Sequence, residues 1–204
     1  VRKHVRNFIV VAAVAPFSLA LVAAGTANAA TSAPAVPSAQ HATAPSDSLE
    51  SLVNLLAQRL KTADSVSTAK YGTPSPVDDP AREKTELDSA AAMATKQGLD
   101  PNATRKIFSD QIQANKVVQY GLYSRWTALP NEIPKIKADL TKLRTQLDTI
   151  TGDLIRDLAA TKTARSASDC KAHLQSTERS VSRANHFDAL HVQAFDRALI
   201  SVCT

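Results

Sequence analysis

Four polar side chains fall where a helical apolar pattern calls for core residues. Arg59 is flanked at helical spacing by Leu52, Leu56, Ala63 and Val66, so its guanidinium emerges from an apolar face. A buried charge needs a partner. Lys70 follows eleven residues later, close to three full turns, and so shares that face. Asn115 lies among Phe108, Ile112, Val118 and Leu122, and Gln119 is bracketed by Ile112, Leu122 and Trp126. Four residues apart, the two amides point the same way. Two cations and two amides facing one interior make a site for a small anionic ligand. Periodicity alone leaves a second reading open, in which Arg59 and Lys70 snorkel outward or pair with internal acids. Other chemistry is not advertised. There is no Gly-rich phosphate loop, no G-x-S-x-G elbow and no spare cysteine nucleophile. His186 and His191 are five apart, on different helix faces, and no Glu or Cys completes a metal set, so they read as ordinary surface or interface histidines.

These residues need helices to position them, and the sequence punctuates its helices well. Asp47 and Glu50 are spaced as a capping pair, and Leu49, Leu52, Val53, Leu56, Leu60, Ala63 and Val66 continue a helical pattern to about Lys70. The stretch GTPSPVDDP is a loop. Asp79 then Pro80 reads as an N-cap with Pro at the first helical position, opening a helix that runs to Gln97 and stops at Gly98. Asp100 and Pro101 repeat the signal, and a third helix continues to about Thr127. After Pro130 and Pro134, Leu140, Leu143, Leu147, Ile150, Leu154 and Leu158 mark a fourth helix from about Asp139 to Ala160. Ser168 or Asp169 can cap a fifth near Cys170, and a break around Asn185 separates a last one containing Leu190, Phe195 and Leu199. No stretch alternates as a strand does. The expectation is an all-α, single-domain helical bundle of about six helices over residues 47–204.

The N-terminus carries a different message. Arg2, Lys3 and Arg6 precede an apolar run from Phe8 to Ala24 and a small-x-small pattern at Ala27-Asn28-Ala29, which reads as a secretory signal peptide over residues 1–29. Its cleavage would leave no stable membrane insertion. Residues 30–46 are rich in Ala, Pro and Ser and read as a disordered leader. Without the first 29 residues the net charge of +5 falls to +2, and the basic residues are interspersed with acids, which argues against nucleic-acid binding. Cys170 and Cys203, both in the exported part, are expected to form one disulfide, stabilising the fold by about 3 to 4 kcal/mol.

The polar residues together resemble the all-helical chorismate mutases. In that family the first long helix supplies an Arg and then a Lys, the second starts with an Arg-Glu pair, and the third supplies a polar residue and a Gln. Here Arg59, Lys70, Arg82 with Glu83, Asn115 and Gln119 match, and Asp79 fits the acidic position ahead of the pair. The signal peptide, the extra C-terminal helices and the cysteine pair resemble the secreted gamma subclass, where Arg144 falls at the place of a further pocket arginine. The resemblance implies an exported enzyme, periplasmic or extracellular, that converts chorismate to prephenate without metal or cofactor and associates as a homodimer. It further implies that Arg59 and Arg82 bind carboxylates with Arg144 and Asn115 assisting, that Lys70 and Gln119 bond the ether oxygen, and that Glu83 accepts from the ring hydroxyl. Two departures stand out. Some secreted relatives carry Glu where this chain has Gln119, and relatives have a hydroxyl residue where it has Asn115. The alternatives are an isochorismate pyruvate lyase on the same fold and a non-catalytic exported binding module, for which Lys70 and Gln119 would be dispensable.

Overall fold

The computed structural model describes residues 46–203, with side chains from Leu49 onward. Residues 1–45, which hold the expected signal peptide and nearly all of the expected leader, lie outside the described residues, as does the side chain of the expected cap Asp47. The described residues form α1 (Ser46–Lys70), α2 (Pro80–Lys96), α3 (Pro101–Ala128), a 3-10 turn (Pro130–Glu132), α4 (Leu140–Ala160), α5 (Lys162–Arg165), α6 (Cys170–Ala184) and α7 (Ala189–Ala198), with no strand among them. The expected count of about six is exceeded by α5, a single turn following directly on α4 that no cap or proline announces.

The helix starts follow the predicted chemistry. Asp79 Oδ1 accepts the Arg82 backbone N–H at 3.0 Å and Asp100 Oδ1 accepts that of Asn102 at 2.8 Å, each with Pro at the next position. Asp139 and Asp188 cap α4 and α7 in the same way. Asp169 occupies the N-cap position of α6 but makes no cap bond. Its carboxylate lies 3.1 Å from His173 Nε2 instead. Gly98 ends α2 at φ +67°, a left-handed conformation that glycine adopts without a Cβ clash.

The first helix is the centre of the bundle. It packs against α3, α4 and α6, and also meets α5 and α7. Leu52, Val53, Leu56, Leu60 and Ala63 are buried along it, among Phe108, Val118, Leu154 and Phe195. The helix is thus surrounded over most of its girth, which is why Arg59 is only 5% exposed.

Several bonds fasten the C-terminal third. The Cys170–Cys203 disulfide closes a separation of 33 residues. Buried Arg165 donates to the carbonyls of Leu158 at 3.2 Å and Val202 at 3.3 Å. Asp110 on α3 pairs with Arg197 and accepts the Ser201 N–H at 3.0 Å. His191 on α7 bridges Asp188 Oδ1 at 2.7 Å and Asp64 Oδ1 of α1 at 3.0 Å, with Phe187 stacked on its ring. No helix among the described residues is long and apolar enough to cross a membrane.

Candidate active site

A cavity of about 190 Å³ lies between α1, α2, α3 and α4. All eight expected site residues line it: Arg59, Lys70, Asp79, Arg82, Glu83, Asn115, Gln119 and Arg144. Arg59, Lys70, Asn115 and Gln119 come from the helices that their spacing indicated, and Asp79, Arg82, Glu83 and Arg144 from the segments that the resemblance implied. Val66, Ile112, Leu140, Leu143 and Leu147 supply an apolar wall, and Ser75, Pro76 and Val77 of the α1–α2 loop close one side.

Arg59 forms the deepest charged point. Its Cζ lies 5.5 Å from the Phe108 ring centroid, Nη1 is 3.4 Å from Thr151 Oγ1, and its guanidinium pairs with Glu86. The internal-acid pairing left open by periodicity is therefore present, and the same guanidinium lines the cavity. Burial, with Arg82 adding repulsion, lowers its pKa to about 10 against the opposing pull of Asp148, so the side chain stays charged at neutral pH.

Lys70, at the end of α1, donates to the Pro76 carbonyl at 2.8 Å. Burial lowers its pKa, and Arg144 adds to this, while Asp79, Glu83 and Asp78 oppose it. Asn115 and Gln119 stand one turn apart on α3, with Gln119 Nε2 donating to Asn115 Oδ1 at 2.7 Å. The Gln119 Oε1 is buried without a partner. Glu83 Oε1 accepts the Asp79 N–H at 3.1 Å and an ion pair from Lys116 at 2.7 Å, so the expected ring-hydroxyl acceptor also takes part in capping α2. Arg82 and Arg144 are exposed at the rim.

Sequence reasoning missed Glu86, Gln111 and Lys116. Gln111 lies four residues before Asn115 and donates to the Ala198 carbonyl at 2.8 Å, so the spacing rule that found Asn115 and Gln119 also points to it. Glu86 follows Arg82 by four on one face of α2. No signal marked Lys116, because a lysine on a long helix ordinarily reads as solvent-facing. Five cationic and three acidic side chains line the cavity, an excess suited to a ligand with two negative charges.

The chain matches a family model described as Chorismate mutase type II over residues 50–120, a span holding every expected site residue except Arg144. It is 30% identical over 155 residues to the secreted chorismate mutase of Mycobacterium tuberculosis, covering 76% of this chain and 78% of that relative. Against the secreted chorismate mutase of Mycolicibacterium smegmatis the identity is 30% over 164 residues, covering 80% and 91%. Among solved structures, the chorismate mutase of Burkholderia phymatum superposes with a TM-score of 0.74 at 35% identity, covering 78% of this chain and 98% of that one.

Proposed function

This chain belongs to the chorismate mutase family and is an isomerase, and on that premise we propose that it works outside the cytoplasm, rearranging chorismate to prephenate in the cavity between α1 and α4. The observation that carries the site assignment is the convergence of five cations and three amides, drawn from four helices, on one small cavity. The relatives are named as secreted, and a disulfide suits an oxidising compartment. Residues 1–29 would serve as the signal peptide and 30–46 as the leader of a domain spanning 47–204. Two such protomers would form a homodimer in which each chain carries a whole site.

The rearrangement is internal to the substrate. One C–O ether bond breaks as one C–C bond forms, and no atom enters or leaves. The protein's task is to hold the compact conformer, with the enolpyruvyl arm over the ring, and to meet the negative charge that grows on the ether oxygen. Arg59, fixed between Phe108, Thr151 and Glu86, would bind one carboxylate with little side-chain entropy left to lose, and Arg82 the other. Arg144 and Asn115 would assist from the rim and from α3.

Lys70 and Gln119 would bond the ether oxygen. The Lys70 ammonium, held by the Pro76 carbonyl at 2.8 Å, has two further donors. The two amides can exchange roles by rotating about their terminal bonds, so that Asn115 donates to the orphaned Gln119 Oε1. That satisfies a buried oxygen and frees the Gln119 N–H groups from Asn115. Glu83 would accept from the ring hydroxyl, and Asp79 would orient the first turn of α2.

The direct test is chorismate consumption by the purified mature protein, followed as loss of its diene absorbance, with the product converted by acid to phenylpyruvate. Lys70→Ala should lower kcat on the order of a hundredfold or more, as loss of an oxyanion donor does. Near-normal turnover in that variant would remove Lys70 from the mechanism. Turnover of isochorismate with release of pyruvate, and none of chorismate, would favour the lyase.

A further inference from the structure

Lys116 stands beside Asn115 on α3 and reaches the corner where the α1–α2 loop meets α2. Its side chain is 14% exposed, and its ammonium lies 2.8 Å from Asp78 Oδ1 and 2.7 Å from Glu83 Oε1. Tyr120, one turn further along α3, donates its hydroxyl to the other oxygen of Asp78. Burial alone would lower the Lys116 pKa. The hydrogen bonds it donates to Asp78 and Glu83 outweigh it and leave the pKa raised, so the ammonium is a fixed positive charge.

That charge bears on the reaction through Glu83. A carboxylate lining the seat of a doubly negative substrate repels it unless a cation neutralises the acid. A carboxylate that accepts a hydroxyl must also present a particular oxygen. Glu83 Oε1 is taken by Lys116 and by the Asp79 N–H, which leaves Oε2 for the ligand. With two of its three N–H donors committed to Asp78 and Glu83, Lys116 acts through these acids rather than on the substrate. We infer that Lys116 is a positioning residue for the rearrangement: it turns Glu83 Oε2 toward the substrate and, through Asp78, pins the α1–α2 loop that borders the cavity. This rests on the reading of Glu83 as the acceptor of the ring hydroxyl.

The test is a double-mutant cycle in the full mature chain, with chorismate turnover as the readout and circular dichroism and thermal unfolding as checks on folding. Lys116→Met should lower kcat by about tenfold, the range seen when a supporting partner of a site residue is removed, and change KM less. Lys116→Gln, which keeps a donor but no charge, serves if the Met variant does not fold. Lys116→Arg should retain most of the turnover. In the Glu83→Gln background, Lys116→Met should cost clearly less than it does in the wild type, because only the share owed to the Asp78 pair is left to lose. Wild-type kcat in folded Lys116→Met or Lys116→Gln would overturn the inference. So would a loss in Lys116→Arg as large as in Lys116→Met, or losses that multiply in the double variant. Wild-type kcat in Glu83→Gln alone would refute the acceptor reading itself, a result visible without any change at Lys116.

Discussion

The ionic bridge at His191 sets a pH window for stability that can be worked through. The His191 ring lies between Asp64 and Asp188, and their hydrogen bonds raise its pKa from 6.5 to about 9 against the cost of burial, with the bond to Asp64 the largest cause. A group whose pKa is higher in the folded state stabilises fully below its unfolded value, and the contribution fades as pH rises through the folded value. The bridge should therefore contribute fully below about pH 6.5 and be gone above about pH 9. At about 1.4 kcal/mol per pKa unit the ceiling is roughly 3 kcal/mol. The carboxylates are 52% and 55% exposed, so solvent screening brings the contribution to about 1 to 2 kcal/mol. The assay is thermal unfolding of the wild type and of His191→Gln from pH 6 to pH 10, at low salt. The variant should melt a few degrees lower at pH 6 and converge with the wild type near pH 10. Asp188 also caps α7, and its carboxyl is held below the ordinary range by His191, so its own effect falls in acid, outside this window. A difference between the two proteins that stays constant from pH 6 to pH 10 would refute protonation as its source.

The neutral amide of Gln119 donates at any pH, so turnover should be roughly flat from mildly acidic to neutral pH, whereas Gln119→Glu should confine activity to acid, where the carboxyl is protonated. A steep loss at neutral pH in the wild type would count against the role of Gln119. At Gly121 an added Cβ would meet Leu190 Cδ1 at 2.5 Å, the mobile end of a side chain. Gly121→Ala should be close to neutral because helix propensity offsets the shift of Leu190, and Gly121→Val should cost about 1 to 3 kcal/mol in urea unfolding. Replacing both Cys170 and Cys203 by Ser should lower stability by about 3 to 4 kcal/mol in the same assay, since the bridge closes a long loop.

The elements were legible because their ends are marked by chemistry that acts locally. Asp79-Pro80 and Asp100-Pro101 need only their own backbone to start a helix, and Gly98 needs only its own φ to end one. What stayed hidden depends on distant partners. The turn α5 has no signature of its own, and Arg165 within it is held by the carbonyls of Leu158 and Val202. Asp169 looks like a cap by type and place, yet the imidazole of His173 takes its carboxylate. His191 reads as an unremarkable histidine until the fold brings Asp64, 127 residues away, against it.

The site was legible for a different reason. An enzyme that works by restraint and charge needs no nucleophile, and so carries no sharp motif. It must instead place charges and amides inside a core, where they violate the apolar period of their helices. Arg59 and Gln119 show this most clearly, being 5% and 4% exposed on helices whose neighbouring turns are apolar. The same logic explains the misses. Glu86 and Lys116 do not interrupt an apolar stripe, because they lie on the polar flanks of α2 and α3 and turn inward only to answer charges already there. Polar residues set into an apolar stripe leave a mark in their own segment, whereas the charges that hold them leave theirs only in three dimensions. Sites built on this plan should show their buried polar groups to a reader of periodicity, but neither their rim residues, which here include Arg82 and Arg144, nor their supporting charges.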